Sequence, residues 1–338
     1  MKAFGKILLI LLVAVVVLLV AAISFTIGWR PILGPKARTL TDRKFEPTPP
    51  RLERGKYIFN SAAGCADCHS EHDPSSADHP VLPSMHGAGE IMFLDGLPGR
   101  IVASNLTPDP ETGAGTWTDD QLARAIREGI GHDGRALFPI MPYEHYKSMS
   151  DEDLASVIVY IRSLPPVHHE LPKTEIIFPV KYLIRSVPEP INAPVVAPGR
   201  ANQILWGAYV VNMAGCVDCH TPMDSHGQPL PGLQFGGGQV FKGTWISTAS
   251  ANITPDASGI GYYDEALFLQ VLRTGYVKAR KLAWLMPVEQ YKGMTDEDLK
   301  AAFAYLRTVQ PVKHRVDNTE PPTYCRLCRA NHGAGDQN

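Results

Sequence analysis

Residues 65–69 read Cys-Ala-Asp-Cys-His, and residues 216–220 read Cys-Val-Asp-Cys-His. In each pentapeptide two thiols can add to the vinyl groups of a haem while the following histidine binds its iron, so the pattern is typical of c-type haem attachment. A disulfide or a zinc dithiol is the alternative, but nothing nearby supplies a second Cys-x-x-Cys to complete a zinc site. The sequence therefore predicts two covalently attached haems c. The predicted attachment residues are Cys65, Cys68, Cys216 and Cys219, and the predicted proximal ligands are His69 and His220.

Four further patterns recur around the two pentapeptides in the same order. Gly-x-Tyr precedes each one, and Asn-(Leu/Ile)-Thr-Pro-Asp, Met-Pro-x-x-x-Tyr and (Ser/Thr)-Asp-Glu-Asp-Leu follow it. The matched segments are 55–57 with 207–209, 105–109 with 252–256, 141–146 with 286–291, and 150–154 with 295–299. A repeated set of this kind predicts two homologous domains, at about 51–170 and 200–315.

Apolar residues at helical spacing predict that both repeats are helical. The helices expected from capping signals run over 151–164 and 296–309 with N-caps at Ser150 and Thr295, and two further helices end at Gly129 and Gly275. Segments 81–104 and 229–251 are rich in glycine and proline, so we expect loops with short strands there. The predicted fold class is all-α.

The amino terminus carries an apolar run from Ile7 to Ile27. At about 1.5 Å per residue this run crosses a hydrocarbon core of roughly 30 Å. A cleaved signal peptide is the alternative, but its apolar core is usually only about 7–15 residues long, which favours an uncleaved transmembrane anchor over residues 1–30. Cytochrome c maturation takes place outside the bacterial cytoplasmic membrane, so we expect a protein of the inner membrane whose body faces the periplasm.

Two proline-rich segments flank the first repeat. Residues 31–50 are expected to be a spacer between membrane and body, and residues 171–199 a stiff connector between the repeats. Residues 316–338 form a C-terminal tail. The formal net charge of −2 indicates no nucleic-acid partner.

The sixth ligand of each iron decides the chemistry, because a thioether there favours the ferrous state and closes the site to other ligands. Two methionine pairs recur in the repeats. Met149 and Met294 each lie one residue before an N-cap, where a packing role is expected. Met141 and Met286 each precede a proline, which holds the segment extended and suits it to present a side chain to a haem. We predict Met141 and Met286 as the axial ligands.

Histidines are the competing sixth ligands. The first repeat holds five between its pentapeptide and Met149, whereas the second holds only His226 between its pentapeptide and Met286. The five are His72, His79, His86, His132 and His145. None of them falls at a position matched in the second repeat, so two bis-histidine haems are not expected.

Several residues are candidates for supporting the haems. The second nitrogen of each proximal histidine needs an acceptor, and we expect a carbonyl of a proline-containing loop at Pro83 (or Pro80) and at Pro231. The repeated asparagines and tyrosines either contact propionates and the ligand loops, or cap turns and pack in the core. These residues are Asn105, Asn252, Tyr146 and Tyr291.

Together these motifs resemble the cytochrome c subunit family of membrane-bound alcohol and gluconate dehydrogenases over about residues 50–315. The resemblance implies two tandem class I cytochrome c domains, here in a dihaem version. It pairs His69 with Met141 and His220 with Met286, and it implies electron transfer from a catalytic partner subunit toward quinone or an oxidase. Members of that family typically carry three haem motifs, whereas this sequence carries two.

Cys325 and Cys328 follow the second repeat without a histidine directly after them. A periplasmic disulfide, a free or partner-bound dithiol, and a metal or unusual haem site that includes His332 are the alternatives. For the whole chain, the leading hypothesis is a membrane-anchored dihaem carrier of single electrons between a periplasmic donor, such as a dehydrogenase subunit, and a respiratory acceptor, such as a terminal oxidase. The alternatives are a dihaem peroxidase with one open haem and a scaffold subunit.

Overall fold

Helices dominate the computed structural model of this chain, which describes residues 2–76, 79–92, 96–224, 227–243 and 246–333. The α-helices are Lys2–Phe25, Arg30–Leu33, Pro49–Tyr57, Cys65–Cys68, Asp119–Glu128, Tyr143–Tyr146, Asp151–Ser163, Val180–Leu183, Gln203–Met213, Cys216–His220, Glu265–Thr274, Val288–Tyr291 and Asp296–Leu306. A π-helical segment, Ile58–Ala62, continues Pro49–Tyr57, and 3-10 turns occupy Pro83–Met85 and Ile184–Ser186.

Short antiparallel strand pairs complete the described parts of the chain. They are Glu90–Ile91 with Val102–Ala103, Gly99–Arg100 with Glu175–Ile176, Val240–Gly243 with Ile246–Ala249, Tyr276–Val277 with Arg280–Lys281, and Thr323–Tyr324 with Asn331–His332. The short strands expected in segments 81–104 and 229–251 are confirmed. The fold is helical, and the strand pairs depart from a strictly all-α class.

The predicted helix ends are confirmed to within three residues, and the caps explain where the helices begin. Ser150 Oγ accepts a hydrogen bond from the Asp153 amide at 3.1 Å, and Thr295 Oγ1 accepts one from the Asp298 amide at 3.2 Å. The C-terminal glycines predicted for two other helices, Gly129 and Gly275, adopt the left-handed conformation.

In each repeat, the helix before the pentapeptide crosses the last helix at the glycine of Gly-x-Tyr. A Cβ on Gly55 would lie 1.9 Å from the Ser156 carbonyl oxygen, and a Cβ on Gly207 would lie 1.9 Å from that of Ala301. The two backbones approach too closely for any side chain at the crossing. The repeated Gly-x-Tyr motif therefore has a packing reason.

We expect Gly207→Ala to destabilise the second repeat because its methyl group would push the two helices apart. Overpacking of this kind costs about 1–3 kcal/mol. A lower urea midpoint of unfolding, followed by far-UV circular dichroism, would measure the effect. Gly199→Ala is the matched control, since a Cβ there meets nothing within 4 Å. Equal midpoints for the two variants would contradict the close crossing.

The two repeats pack against each other in a nearly two-fold arrangement. Tyr57 of the first repeat donates a hydrogen bond to Asp298 of the second at 2.5 Å. Its counterpart Tyr209 donates one to Asp153 of the first repeat at 2.7 Å. Burial, followed by the neighbouring carboxylate, raises the pKa of both tyrosines, which therefore remain donors. One apolar core extends across both repeats.

The segment expected to be a spacer lies against the first repeat instead of bridging solvent. Arg38 forms a two-pronged ion pair with Asp120, at 2.6 and 2.7 Å, and also pairs with Glu128. Arg43 and the Thr41 amide reach the same Asp120 carboxylate at 2.6 Å. Proline content could not reveal these contacts, because they depend on arginines that meet carboxylates about 80 residues away in the chain.

Candidate functional site

Each pentapeptide begins a short helix directly after a glycine. Gly64 has φ +61° and Gly215 has φ +66°, a left-handed conformation that only glycine adopts at little cost. The turn carries the chain into the helix that presents both cysteines and the histidine. The repeated Ala-Gly before each first cysteine is the sequence signal for this turn.

Both pentapeptides line one continuous cavity of about 1530 Å³. Single small-molecule sites usually measure about 300–1,000 Å³, so the cavity has room for more than one large group. All eight predicted site residues lie on its wall. They are Cys65, Cys68, His69, Met141, Cys216, Cys219, His220 and Met286.

The two proximal histidines are prepared as metal ligands. His69 Nδ1 lies 2.7 Å from the Ser104 carbonyl oxygen, and His220 Nδ1 lies 2.7 Å from that of Ala251. A carbonyl oxygen only accepts, so each Nδ1 carries the proton and each Nε2 keeps a free lone pair. Burial lowers the pKa of both imidazoles, which also favours the neutral, ligating form. These residues fit a haem iron.

The acceptors expected for these imidazoles were wrong. The loops at Pro80, Pro83 and Pro231 do not supply them. The carbonyls come from the residue directly before each repeated Asn-(Leu/Ile)-Thr-Pro-Asp turn. Any residue type can supply a backbone carbonyl, so the sequence does not identify this acceptor. The repeated turn could be located in the sequence, but the direction of the carbonyl before it could not.

The four cysteines of the pentapeptides form no disulfide; Cys65, Cys68 and Cys216 are half-buried, whereas Cys219 is exposed. Burial raises the pKa of Cys65, Cys68 and Cys216 to about 12 and that of Cys219 to about 11. Cys219 contributes to the raised pKa of Cys68, which agrees with the two motifs lying near each other on one cavity.

The two methionine pairs differ in exposure. Met149 and Met294 are only 2% and 4% exposed and belong to the apolar core, which confirms the packing role expected for them. Met141 and Met286 are half-buried and line the cavity. All four methionines line the cavity, and Met141 and Met286 are the more exposed pair.

The repeated tyrosines and asparagines support the backbone of the site. Tyr146 donates a hydrogen bond to the Ala63 carbonyl and Tyr291 donates one to the Ala214 carbonyl, both at 3.0 Å. Each bond ties the segment after the methionine to the turn before the pentapeptide. The Oδ1 atoms of Asn105 and Asn252 accept hydrogen bonds from the backbone two residues on, which closes the turn that aims the histidine's acceptor.

The other histidines of the first repeat have varied surroundings. His72 lies 2.6 Å from Glu90; burial opposes its charging, but Asp67 and Glu90 raise the pKa of His72 to about 9. His132 stacks on Trp117 with the ring centres 4.2 Å apart. His79 and His86 line the cavity. His226 of the second repeat lies outside the described residues.

His145 joins the two repeats beside the cavity. Its Nε2 lies 2.6 Å from Asp218 Oδ1, inside the second pentapeptide, and its Nδ1 lies 3.0 Å from Asn212 Oδ1. Both nitrogens face acceptors, and the Asp218 carboxylate raises the pKa of His145. Its repeat counterpart, Gln290, donates to the Ser61 carbonyl at 3.0 Å. Pattern matching missed this pair because the two residues differ in type.

Arg135 and Arg280 also line the cavity and were missed. Each lies six residues before the predicted methionine ligand, so their common spacing was readable from the sequence. Guanidinium groups suit carboxylates, which haem carries as propionates.

Comparison with known proteins agrees with this geometry. The family model described as Cytochrome c matches residues 52–165. These residues belong to the cytochrome c family. Domains of this family carry covalently attached haem c. The match covers the helices, pentapeptide and methionine of the first repeat.

Its relatives include cytochrome subunits of dehydrogenases. The cytochrome is 31% identical over 81% of its length to the fructose dehydrogenase cytochrome subunit of Gluconobacter japonicus, of which it covers 56%. It is 27% identical over 76% of its length to the gluconate 2-dehydrogenase cytochrome c subunit of Pantoea cypripedii, of which it covers 59%. The cytochrome thus spans little more than half of these subunits.

A dihaem relative matches over more of its own length. The diheme cytochrome c-type of Cereibacter sphaeroides is 29% identical over 77% of this chain, which covers 86% of that protein. The expected resemblance to dehydrogenase cytochrome subunits is confirmed, and none of these relatives is named as a peroxidase.

Proposed function

We propose that this protein is a membrane-anchored dihaem cytochrome that passes single electrons from a periplasmic dehydrogenase subunit to a respiratory acceptor. One observation carries the proposal. Two matched sets of candidate haem ligands line one cavity, and contacts between the repeats lie beside both pentapeptides. The rate of electron transfer falls off steeply with distance, so two haems that share one cavity suit a relay between tandem domains.

In this proposal His69 and Met141 ligate the first haem, and His220 and Met286 ligate the second. Each bound haem supplies a one-electron couple. The chain orients each imidazole through its carbonyl acceptor. Met141 and Met286 would each offer the iron a thioether, which raises the potential of a haem. Because both repeats offer the same methionine as a candidate ligand, a carrier is favoured over the peroxidase alternative, which needs one open haem.

The contacts between repeats support a fixed distance between the haems. His145 and Gln290 bind the opposite repeat next to each pentapeptide, and the Tyr57 and Tyr209 bonds hold the helices behind them. A rigid interface between the repeats keeps the electronic coupling between the haems constant while outside partners bind and leave.

Two features support a membrane anchor. Helix Lys2–Phe25 is long and apolar enough to cross a membrane, and none of its apolar window is buried. Next to its end, the short helix Arg30–Leu33 packs on Val180–Leu183, and Arg185 donates to the Pro31 carbonyl at 3.0 Å. Leu33, at the end of the first of these helices, and Phe178, just before the second, are 72% and 77% exposed, which suits the membrane interface.

The dehydrogenase partner is inferred from the relatives, whose names describe subunits of fructose and gluconate dehydrogenases. The same relatives do not support the peroxidase alternative. The near-neutral charge agrees with docking to proteins in preference to nucleic acid.

Isolation of the protein with its membranes tests the proposal. We expect it to stay in the pellet after alkaline carbonate washing, to contain two haems per chain by the pyridine haemochrome assay, and to be low-spin at both haems by electron paramagnetic resonance. Purification of a tagged chain from mildly solubilised membranes is expected to recover a dehydrogenase catalytic subunit. A high-spin ferric haem in the resting protein, or a single haem per chain, would contradict the dihaem carrier.

A further inference from the structure

The tail after the second repeat folds back as a small hairpin. Strands Thr323–Tyr324 and Asn331–His332 pair antiparallel, and Cys325 and Cys328 lie in the turn that joins them. The Cys325 amide donates to the Ala330 carbonyl at 2.9 Å, which closes this turn. Cys328 packs with Leu233 and Val312 in a small separate core. The hairpin is thereby held against the second repeat.

Four metal-binding side chains converge at this hairpin. One ligand atom each from His314, Cys325, Cys328 and His332 lies within 4.8 Å of all the others. His314 Nε2 and Cys325 Sγ are 3.3 Å apart. Around a tetrahedral zinc ion, with Zn–S of about 2.3 Å and Zn–N of about 2.0 Å, neighbouring ligand atoms lie about 3.3–3.8 Å apart. The cluster is close to that size.

His314 is held in the tautomer that a metal requires. Its Nδ1 lies 2.9 Å from the Gly236 carbonyl oxygen, so Nδ1 carries the proton. Nε2 is left with a free lone pair directed toward the cysteines. Metal-bound histidines commonly make this bond to a carbonyl through their second nitrogen.

His332 supplies an independent sign of a missing partner. Its Nε2 atom is buried and has no hydrogen-bond partner among the described residues. Buried polar atoms are nearly always paired, and an unpaired one costs about 1–3 kcal/mol. A cation between the four side chains would satisfy this nitrogen.

The first repeat provides an internal comparison. His169 is the counterpart of His314. Each lies two residues after the valine, Val167 or Val312, whose carbonyl accepts a hydrogen bond from the repeated asparagine. His169 Nδ1 also lies 3.0 Å from a carbonyl oxygen, that of Ala88. Residues 170–215 contain neither cysteine nor histidine, so this stretch offers His169 no counterpart of Cys325, Cys328 or His332. The second repeat adds three ligands to a histidine that both repeats hold in the same way.

We propose that His314, Cys325, Cys328 and His332 bind a structural zinc ion. Two thiolates and two neutral imidazoles are a common ligand set for structural zinc, and the two thiolates balance its charge. All four protein ligands fill a tetrahedral shell, so the ion has no open position for catalysis. The site is separate from both haem pentapeptides.

The ion would fix the tail over the second half of the cavity. Val316, Asp317 and Thr319, between His314 and the hairpin, line the cavity. Asn318 holds the Ala249 backbone through two hydrogen bonds of 2.9 Å. Because the zinc ligands flank this segment on both sides, metal binding would keep one wall of the cavity closed.

Metal analysis of the full-length haem-loaded protein, purified without chelator, tests the proposal. We expect about one zinc per chain in the wild type and in His169→Ala, and loss of most of it in His314→Ala and in the double variant Cys325→Ser with Cys328→Ser. Haem content should stay unchanged in all four proteins. Zinc K-edge X-ray absorption should show two sulfurs at about 2.3 Å and two nitrogens at about 2.0 Å.

The wild-type protein alone can overturn the proposal, so a variant that fails to fold does not decide the result. A Cys325–Cys328 disulfide in the mass spectrum of the purified protein would exclude the site. Iron in excess of the haem, or copper, in place of zinc would contradict the choice of metal. Zinc that His314→Ala retains would place the ion elsewhere.

Discussion

Met286→His is expected to lower the midpoint potential of one haem and to leave the other nearly unchanged. An imidazole in place of the thioether favours the ferric state. Axial ligands set haem potentials over a range of about 0.8 V, so the shift should separate two redox waves clearly. Spectroelectrochemical titration of the full-length protein measures both waves.

Two further variants make the result specific. Met141→His should shift the other wave, because Met141 occupies the same position in the first repeat. Met294→Leu is the matched control, since Met294 is a core residue, and both waves should stay in place. Equal shifts of both haems in Met286→His would contradict two separate ligand sets.

Asp120→Asn is expected to release the segment that follows the membrane helix from the first repeat. The Asp120 side chain is fully buried, and it holds Arg38, Arg43 and the Thr41 amide at once. Breaking a buried ion pair costs about 3–5 kcal/mol, and we expect roughly 3 kcal/mol here because Arg43 is 39% exposed. A lower urea midpoint and faster proteolysis between residues 38 and 45 would measure the release.

The same carboxylate predicts the direction of the pH dependence. Burial opposes ionisation of Asp120, but hydrogen bonds from Arg38 and Thr41 hold the pKa of Asp120 well below its usual range. Its contribution to stability is therefore present above the ordinary carboxyl pKa of about 3.9 and is lost as the pH falls through the lower folded value. Asp42→Asn, at an exposed neighbour, is the control and should leave both the midpoint and its acid dependence unchanged.

Local signals predicted the parts of the fold that depend on neighbouring residues. Ser150 and Thr295 cap helices as expected, and Met149 and Met294 pack in the core. The proline after Met141 and the one after Met286 marked the side chains that line the cavity. Each of these inferences needed only a few adjacent residues and the knowledge that they recur.

Contacts between distant residues were beyond this reasoning. The Ser104 and Ala251 carbonyls are backbone atoms, so no residue type announces them. The bond between Tyr57 and Asp298 joins residues 241 positions apart, and both belong to motifs that make sense within one repeat. Ile58–Ala62 is π-helical because the first repeat has one more residue between its Gly-x-Tyr and its pentapeptide than the second. That length difference was visible, but its structural form was not.

The crossed bonds of Tyr57 and Tyr209 have a further consequence. Each half offers its neighbour a tyrosine and an aspartate and receives the same pair in return, which is how isologous homodimers are built. Because both halves lie in one chain, their pairing does not depend on protein concentration. The two halves can also carry different residues at equivalent positions, as His145 and Gln290 illustrate.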